Sequence, residues 1–412
     1  MANNRKNVLY ISYDGMTDPL GRSQVIPYLA ALSAEGYSIT ILSFEKREVF
    51  HQSSDQISNI LGRNNINWVP LFYTKRPPIL STLWDVNQMI SKAAKLHRQY
   101  SFGLVHCRSY ISALAGLSLK KRFDVKFIFD MRGFWADERV DGNIWRLSNP
   151  LYKVIYNFFK RKEKDFIESA DHVITLTHAA KQEIHSWKHI VNNPIPITVV
   201  PCCVDMAKFS QQKVDHSLTL QLKKDLGLEN ADYILSYLGS LGTWYLLEEM
   251  LDFFAVLSSH KKEAKLLFVT NNPQEGIMAA VSKKGIDPDS IIITRAAFDN
   301  VPTYLSLSDA SIFFIKPAYS KKGSSPIKQG ELMSMGIPIV CNSNVGDTEW
   351  IVKKYQSGIV VGELNDTNYE KAVTELLERK FDPIRIIEGA TEYFSLEVGV
   401  KEYLKVYRKL LE

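Results

Sequence analysis

Ala310-Ser-Ile-Phe-Phe-Ile-Lys-Pro-Ala-Tyr-Ser-Lys-Lys-Gly-Ser-Ser-Pro-Ile-Lys-Gln-Gly-Glu-Leu-Met-Ser-Met-Gly-Ile-Pro-Ile-Val-Cys341 reads as strand, loop, helix and strand in succession. Ala310–Ile315 and Pro338–Cys341 are apolar runs of strand length, and Gln329–Met335 between them has a helical pattern. Two strands joined through a helix run parallel, and a parallel sheet needs helices on both faces. The alternation continues outward in both directions. Tyr233–Tyr237, Lys265–Val269 and Ile291–Thr294 precede this unit as strands, Glu248–Ser259 is a helix among them, and Tyr369–Leu377 is a helix after it. The first half holds its own series. Asn7–Ser12, Ser38–Ser43, Leu104–Cys107, Lys126–Phe129, His172–Leu176 and Ile197–Val200 are its strands, and Gln24–Glu35 is a helix. Two such arrays in tandem define an α/β chain with two doubly wound, Rossmann-like domains. The expected divisions are 1–205, 206–390, and a closing amphipathic helix within 391–412 that packs back on the first domain.

Composition agrees with this reading. The chain has 412 residues, 45% hydrophobic and 23% charged, which excludes collagen, coiled coil and wholesale disorder. No apolar run approaches the roughly 18 residues of a membrane-spanning helix. The first apolar run meets Asp14 too soon for a secretory signal and reads better as a strand. Cys107, Cys202, Cys203 and Cys341 form no CxxC pair, which points to a reducing, cytoplasmic compartment. Net charge is +5 but unevenly spread: residues 1–200 hold 26 basic and 17 acidic side chains, the remainder 24 and 28. A basic first half suits a phosphate-bearing substrate or an anionic membrane surface. Nucleic acid is not an expected partner, because no RNP, zinc-finger or helix-turn-helix signature is present.

Ligands of doubly wound sheets bind beyond the carboxyl ends of the strands, so the loops there carry the candidates. In Tyr13-Asp-Gly-Met-Thr-Asp-Pro-Leu-Gly-Arg-Ser-Gln24, Gly21 leads into a helix, and Arg22 and Ser23 add donors for an anion. This loop lacks the GxGxxG spacing of a dinucleotide fold. Phe129-Asp-Met-Arg-Gly-Phe-Trp-Ala-Asp-Glu-Arg139 crowds opposite charges after a strand. Asp130 there suits sugar hydroxyls and Arg132 an anion, with a salt-bridged loop as the alternative. In Tyr237-Leu-Gly-Ser-Leu-Gly-Thr-Trp-Tyr245, Gly239 and Gly242 permit close backbone approach, while Ser240 and Thr243 supply hydroxyls. Within the 310–341 stretch, Ser324 and Ser325 fall where a helix N-cap belongs, with Pro326 in the first turn. Lys328 and Glu331, three apart, share one face and suit a phosphate and a vicinal diol; a surface salt bridge is the alternative. Asp287-Pro-Asp289 is a DxD in a connector and is assigned no metal, and the nine histidines form no HExxH.

Six segments together carry a resemblance: Leu20-Gly-Arg-Ser-Gln24, Ala170-Asp-His-Val-Ile-Thr-Leu-Thr177, Val199-Val-Pro-Cys-Cys-Val-Asp-Met-Ala-Lys-Phe209, Leu238-Gly-Ser-Leu-Gly242, Ser308-Asp-Ala-Ser-Ile312 and Ser325–Pro338. In number and order they resemble GT-B glycosyltransferases, in particular the retaining, group 1 type of glycosyltransferase family 4. The resemblance implies two Rossmann-like domains facing across a cleft, and transfer of a sugar from a nucleotide-sugar donor to a glycan or lipid-linked acceptor. It implies that Glu331 binds the ribose hydroxyls and that Ser324, Ser325 and Lys328 meet the distal phosphate and sugar. It sets Gly21 and Arg22 near donor phosphate and acceptor, Asp130 near the transferred sugar, and Arg295 where backbone groups meet the base. No cofactor or metal is implied, because helix N-termini and cations serve the leaving phosphate in this class.

Two departures from the family pattern carry information. The first glutamate of the family motif would stand eight residues before Glu331, where this chain has Gly323. The usual Arg and Lys after the Tyr233–Tyr237 strand are replaced by Ser240, Gly242 and Thr243. Phosphate charge then falls to Lys328, Lys316, Lys321, Lys322 or Arg22, or the donor carries one phosphate. A nucleoside diphosphate sugar is favoured, and a CMP-linked sugar stays open. Surface polysaccharide biosynthesis is the expected setting, with the protein cytoplasmic and peripheral on the inner membrane face. Leu151-Tyr-Lys-Val-Ile-Tyr-Asn-Phe-Phe-Lys-Arg-Lys-Glu-Lys164 and Trp68-Val-Pro-Leu-Phe-Tyr-Thr-Lys-Arg-Pro-Pro78 combine aromatics with cations, as an anionic membrane contact would; core packing is the alternative for the first. A GT-B sugar-nucleotide epimerase and a non-catalytic nucleotide-sugar-binding protein are the competing functions.

Overall fold

The computed structural model describes residues 6–74, 76–77 and 79–412. The chain packs as two compact units. The first comprises the chain up to Pro201 together with Lys322–Ser324 and Leu396–Glu412; the second comprises Cys202–Lys321 and Ser325–Ser395. By packing, the divides fall at Pro201/Cys202 and Ser395/Leu396, a few residues from the expected 205/206 and 390/391.

The first unit contains β1 (Asn7–Ser12), β2 (Ser38–Glu45), β3 (Asn67–Phe72), β4 (Leu104–Arg108), β5 (Lys126–Asp130), β6 (His172–Thr175) and β7 (Ile197–Val199). They form one parallel sheet in the order β3-β2-β1-β4-β5-β6-β7. The second unit contains β8 (Ile234–Leu238), β9 (Lys265–Val269), β10 (Ile291–Thr294), β11 (Ala310–Phe313), β12 (Ile339–Asn342) and β13 (Gly358–Val361), all parallel in the order β10-β9-β8-β11-β12-β13. Each order reverses once, between β1 and β4 and between β8 and β11. Those reversals open the crevices in which ligands of such sheets bind. Central strands such as β4 and β8 are buried along their whole length, as helices on both faces require.

β3 and β13 are the strands the sequence did not announce. Both lie at sheet edges, where one flank of the ladder is unpaired. β3 tolerates Pro70 and polar Asn67 for that reason, and these break the apolar pattern. The first part of the aromatic stretch, Trp68–Phe72, is therefore strand. The Trp68 indole donates to Ser43 Oγ at 2.9 Å, and Phe50 packs on Trp68 and Phe72. Lys75 and Pro78 of that stretch lie outside the described residues. The expected helix Gln24–Glu35 is two helices, Pro19–Gln24 and Ile26–Ala34. Pro27 lacks the amide that a continuous helix would use, so the helix restarts there.

The closing helix Leu396–Leu411 belongs to the first unit. Tyr403 and Tyr407 are its buried anchors, edge-on to Tyr28 and Tyr37 respectively. The Tyr407 hydroxyl meets His106 Nδ1 at 2.9 Å. Tyr403 donates to Asp130 Oδ2 at 3.1 Å.

The loop after β1 is held from below by one carboxylate. Glu45, at the end of β2, is fully buried and accepts from the amides of Met16 and Thr17 and from the hydroxyls of Thr17 and Ser43. Gly21 does not sit in that loop. It is the third residue of Pro19–Gln24, where a Cβ would stand 2.2 Å from the Gly15 carbonyl oxygen and 2.6 Å from Met16 Cα. Gly21→Ala is expected to force helix and loop apart at a cost on the order of 1–3 kcal/mol. A lowered unfolding midpoint by scanning calorimetry, with Ser23→Ala close to wild type, is the expected result; equal midpoints would show that the contact yields freely.

Candidate active site

In the second unit, β8 delivers the loop Gly239–Thr243 at the crevice between β8 and β11. The loop is fixed by its own polar contacts. The Gly239 amide donates to the Val269 carbonyl at 2.9 Å, Leu241 N donates to Asn272 Oδ1 at 2.9 Å, and the Tyr237 hydroxyl donates to the Ser240 carbonyl at 2.8 Å. Gly239 takes φ +96° and Gly242 φ +51°, turns that a side chain resists. Ser240, Gly242 and Thr243 are exposed.

Lys328 lies directly beneath this loop. Its ammonium is 3.7 Å from where a Cβ on Gly239 would be, and it donates to the Tyr237 hydroxyl at 3.0 Å. The Tyr245 ring centroid is 3.6 Å from Nζ. Aromatic faces ease the burial of a cation but do not neutralise it. Burial therefore pushes the Lys328 pKa down to about 7, partly opposed by Glu331. Glu331, one turn on, is pushed up to about 7 by burial, with Lys328 and Lys208 opposing. Among the described residues no ion pair within 4 Å joins Lys328 to Glu331, so the surface salt-bridge alternative does not hold. Glu331 instead opens into a cavity of about 450 Å³ that Gly239, Ser240, Thr270, Asn271 and Phe298 also line.

The other expected donor residues are distributed more widely. Arg295 is exposed at the end of β10, next to Ala296 of the cavity wall. Lys316 is exposed after β11, its amide donating to the Trp244 carbonyl at 2.8 Å. Neither serine caps the helix Ile327–Ser334: the N-cap is Pro326, which offers no side-chain acceptor. Ser325 Oγ is used by the Cys202 amide at 3.2 Å. Ser324 belongs with Gly323 to the first unit. A Cβ on Gly323 would come 2.9 Å from Gly133 Cα, so a glutamate at this position would need the backbone to move.

In the first unit, Asp130 and Arg132 close β5. Asp130 is fully buried, with His106 Nε2 at 3.5 Å, the Tyr403 hydroxyl at 3.1 Å and an Arg132 nitrogen at 3.9 Å. Burial pushes its pKa up, but Arg132, His106 and Arg108 together hold it below the usual carboxylate range. Burial also holds His106 below its usual value. Asp130 has no exposed surface here, and its Oδ1 has no hydrogen-bond partner. Through its two oxygens it lies between Arg132, which stands at φ +56°, and Tyr403 of the closing helix. Asp137, from the same charged stretch, pairs with Lys160 at 2.9 Å and accepts from the Tyr156 hydroxyl at 2.8 Å, tying two helices together. Arg22 is exposed, 3.5 Å from Gln56 Oε1.

Sequence reasoning missed four contributors. Tyr237 and Tyr245 flank Lys328, Asn272 fixes the glycine loop, and Arg108 ends β4 beside Asp130. The signals were a charged residue closing a buried strand for Arg108, a polar residue in the loop after one for Asn272, and aromatics flanking the glycines for the two tyrosines. Asp287 Oδ1 accepts from the Asp289 amide and caps a short turn, and among the described residues no group of three or more His, Cys, Asp or Glu is gathered to hold a metal.

Two doubly wound parallel sheets in this succession define a protein of the GT-B class. The model of Glycosyltransferase Family 4 matches residues 25–208, and that of Glycosyl transferases group 1 matches residues 232–379. Between them they take in most of the chain, which belongs to the group 1 glycosyltransferases. The alpha-monoglucosyldiacylglycerol synthase of Streptococcus pneumoniae (strain ATCC BAA-255 / R6) is 20% identical over 278 residues, 66% of this chain and 59% of the synthase. The chain thus matches less than two thirds of that relative's length. A glycosyltransferase from Rickettsia africae ESF-5 superposes with a TM-score of 0.72 at 14% identity over 98% of both chains. Anabaena Alr3699/HepE, solved in complex with UDP-glucose, superposes with a TM-score of 0.66 at 12% identity, over 98% of this chain and 99% of that one. These likenesses speak for the fold.

Should Lys328 and Glu331 hold the two ends of a nucleotide sugar, their opposite titrations predict a pH optimum for its binding. Lys328 holds an anion only when protonated, so affinity falls as pH rises through about 7. Glu331 accepts from hydroxyls best as the carboxylate, so affinity falls as pH drops through about 7. Calorimetric affinities measured across about pH 5.5–8.5 are expected to peak near neutrality. Lys328→Met removes the alkaline limb and Glu331→Gln the acid limb. A flat wild-type profile contradicts the assignment.

Proposed function

We propose that this protein transfers a sugar from a nucleoside diphosphate sugar to a glycan or lipid-linked acceptor, with retention and without a metal, in surface polysaccharide biosynthesis. The observation that carries the donor half is the Glu331 carboxylate. It makes no hydrogen bond or ion pair among the described residues and lines the cavity beside the glycine loop. A vicinal diol supplies two donors to such a group, and a charge-assisted pair is the strongest match on offer. Above it, Lys328 and the uncapped first-turn amides of Ile327–Ser334 suit a phosphate that gains charge as the sugar leaves. Retention enters through family membership. In that reading the leaving phosphate accepts the proton of the attacking hydroxyl on the same face. The Anabaena complex with UDP-glucose supports a uridine donor as the first to test.

Titration with UDP, GDP, ADP and CMP is the primary experiment. One diphosphate is expected to bind well above the rest, and Glu331→Ala is expected to weaken it by about tenfold or more. Preference for CMP would move the donor class to a monophosphate. Binding of none would overturn the nucleotide reading, and an unchanged Glu331→Ala titration would overturn the site. Incubating the donor alone separates transfer from epimerisation, because an epimerase converts it without any acceptor.

A lipid-linked acceptor at a membrane surface has two supports. One is the glycolipid-synthase relative. The other is the helix Pro150–Ser169, which carries two stripes. Phe159, Phe166 and Ile167 are core, whereas Leu151, Val154 and Phe158 are 51%, 62% and 38% exposed, with exposed Lys153 and Arg161 beside them. Among the described residues no helix is long and apolar enough to cross a membrane, and a peripheral contact of this kind needs none. Flotation with anionic vesicles at low salt is expected, and the triple change Leu151→Ser, Val154→Ser, Phe158→Ser is expected to abolish it. No flotation of the wild-type chain would remove the membrane from this reading.

A further inference from the structure

The crevice of the first unit, between β1 and β4, holds a cation that the donor reading does not use. Arg108 is the last residue of β4, in register with Ser12 of β1 and Asp130 of β5. It is 4% exposed, and its Nε and one terminal nitrogen have no hydrogen-bond partner. Such orphaned donors on a buried cation are costly unless a ligand completes them. The neighbours do not complete them. Asp14 Oδ2, on a half-exposed side chain, stands 3.6 Å from Nε, beyond a hydrogen bond, and the Tyr10 hydroxyl lies against the guanidinium. Arg108 is also the N-cap residue of the 15-residue helix Ser109–Phe123, and no side chain caps its first-turn amides. Guanidinium and helix N-terminus thus both stand at the carboxyl end of β4.

We infer that Arg108 binds a phosphate carried by the acceptor. The inference rests on the proposed transfer to an acceptor, adds that the first unit receives it, and names that acceptor's chemistry. A phosphate fits better than a carboxylate, because it offers the planar fork paired oxygens and carries the higher charge. The phosphate belongs either to a lipid or to a sugar, and both present the same group. Asp14 competes weakly for the cation, so its charge tunes the site.

The test uses the full chain with its nucleotide site filled by saturating UDP, or by whichever nucleotide binds. Glycerol 3-phosphate is then titrated by ³¹P NMR. Wild type is expected to bind it, Arg108→Gln to bind at least tenfold more weakly, and Arg108→Lys to fall between. Asp14→Asn, which leaves the sheet untouched, is expected to tighten binding several-fold. Nucleotide affinity is expected to stay within about twofold in every variant, which separates this site from the donor site. The inference fails if wild type takes up no phosphate, if Arg108→Gln binds it equally, or if Asp14→Asn leaves it unchanged. Lysophosphatidate and glucose 1-phosphate, run side by side, assign the supported phosphate to a lipid or to a sugar.

Discussion

A parallel sheet must be covered on both faces, and that requirement governs where this chain can place polar chemistry. The interiors of β4, β5 and β8 are fully buried. Charged groups are consequently displaced to the carboxyl ends of the strands, where backbone pairing stops and helices begin. Glu45, Arg108 and Asp130 end β2, β4 and β5. In the second unit the glycine loop leaves β8 at the corresponding edge. Concentrating charge at one edge has a consequence: groups too deep for water must find partners in each other.

The first unit solves this with a network rather than with pairs. Asp130 engages His106, Arg132 and Tyr403, and His106 engages Tyr407. Two of these partners come from a helix that is remote in sequence and closes the fold of its unit. The network therefore joins the stability of the closing helix to the conformation of the Met131–Phe134 loop. Truncating one member would leave the others buried and unpaired, a larger loss than any single contact is worth.

Much of this architecture is legible in the sequence because buried strands flanked by helices leave a strong pattern. β1, β9 and β10 coincide with their expected spans, and most others lie within one or two residues. Legibility fails where burial is partial. β3 and β13 are edge strands, and β3 carries a proline and an asparagine that an interior strand would exclude. It fails again where a residue's role depends on distant neighbours. Asp130 and Arg132 read as a catalytic pair because the sequence shows their charge; it does not show Tyr403, some 270 residues later, whose hydroxyl donates to one oxygen of that carboxylate. Gly21 read as the glycine that leads the first loop into its helix, whereas the contact with Gly15 that requires it is invisible in one dimension. Lys328 and Glu331 were legible because a helical i,i+3 spacing fixes their common face locally.

That local pair also shows how a site can be kept ready. Two opposite charges three residues apart usually satisfy each other on a helix surface. Here the ammonium is drawn under the glycine loop by Tyr237 and Tyr245, and the carboxylate faces the cavity. Separation in a poorly solvated site brings both groups to about pH 7, where each gains or loses its proton at little cost. An arriving phosphate favours the charged ammonium, and an arriving diol favours the charged carboxylate. Each half of a nucleotide would then strengthen the protein's grip on its own end by completing the charge that burial has suppressed. The tyrosines thus set where the ammonium sits: a hydroxyl and two aromatic faces hold it under the glycine loop.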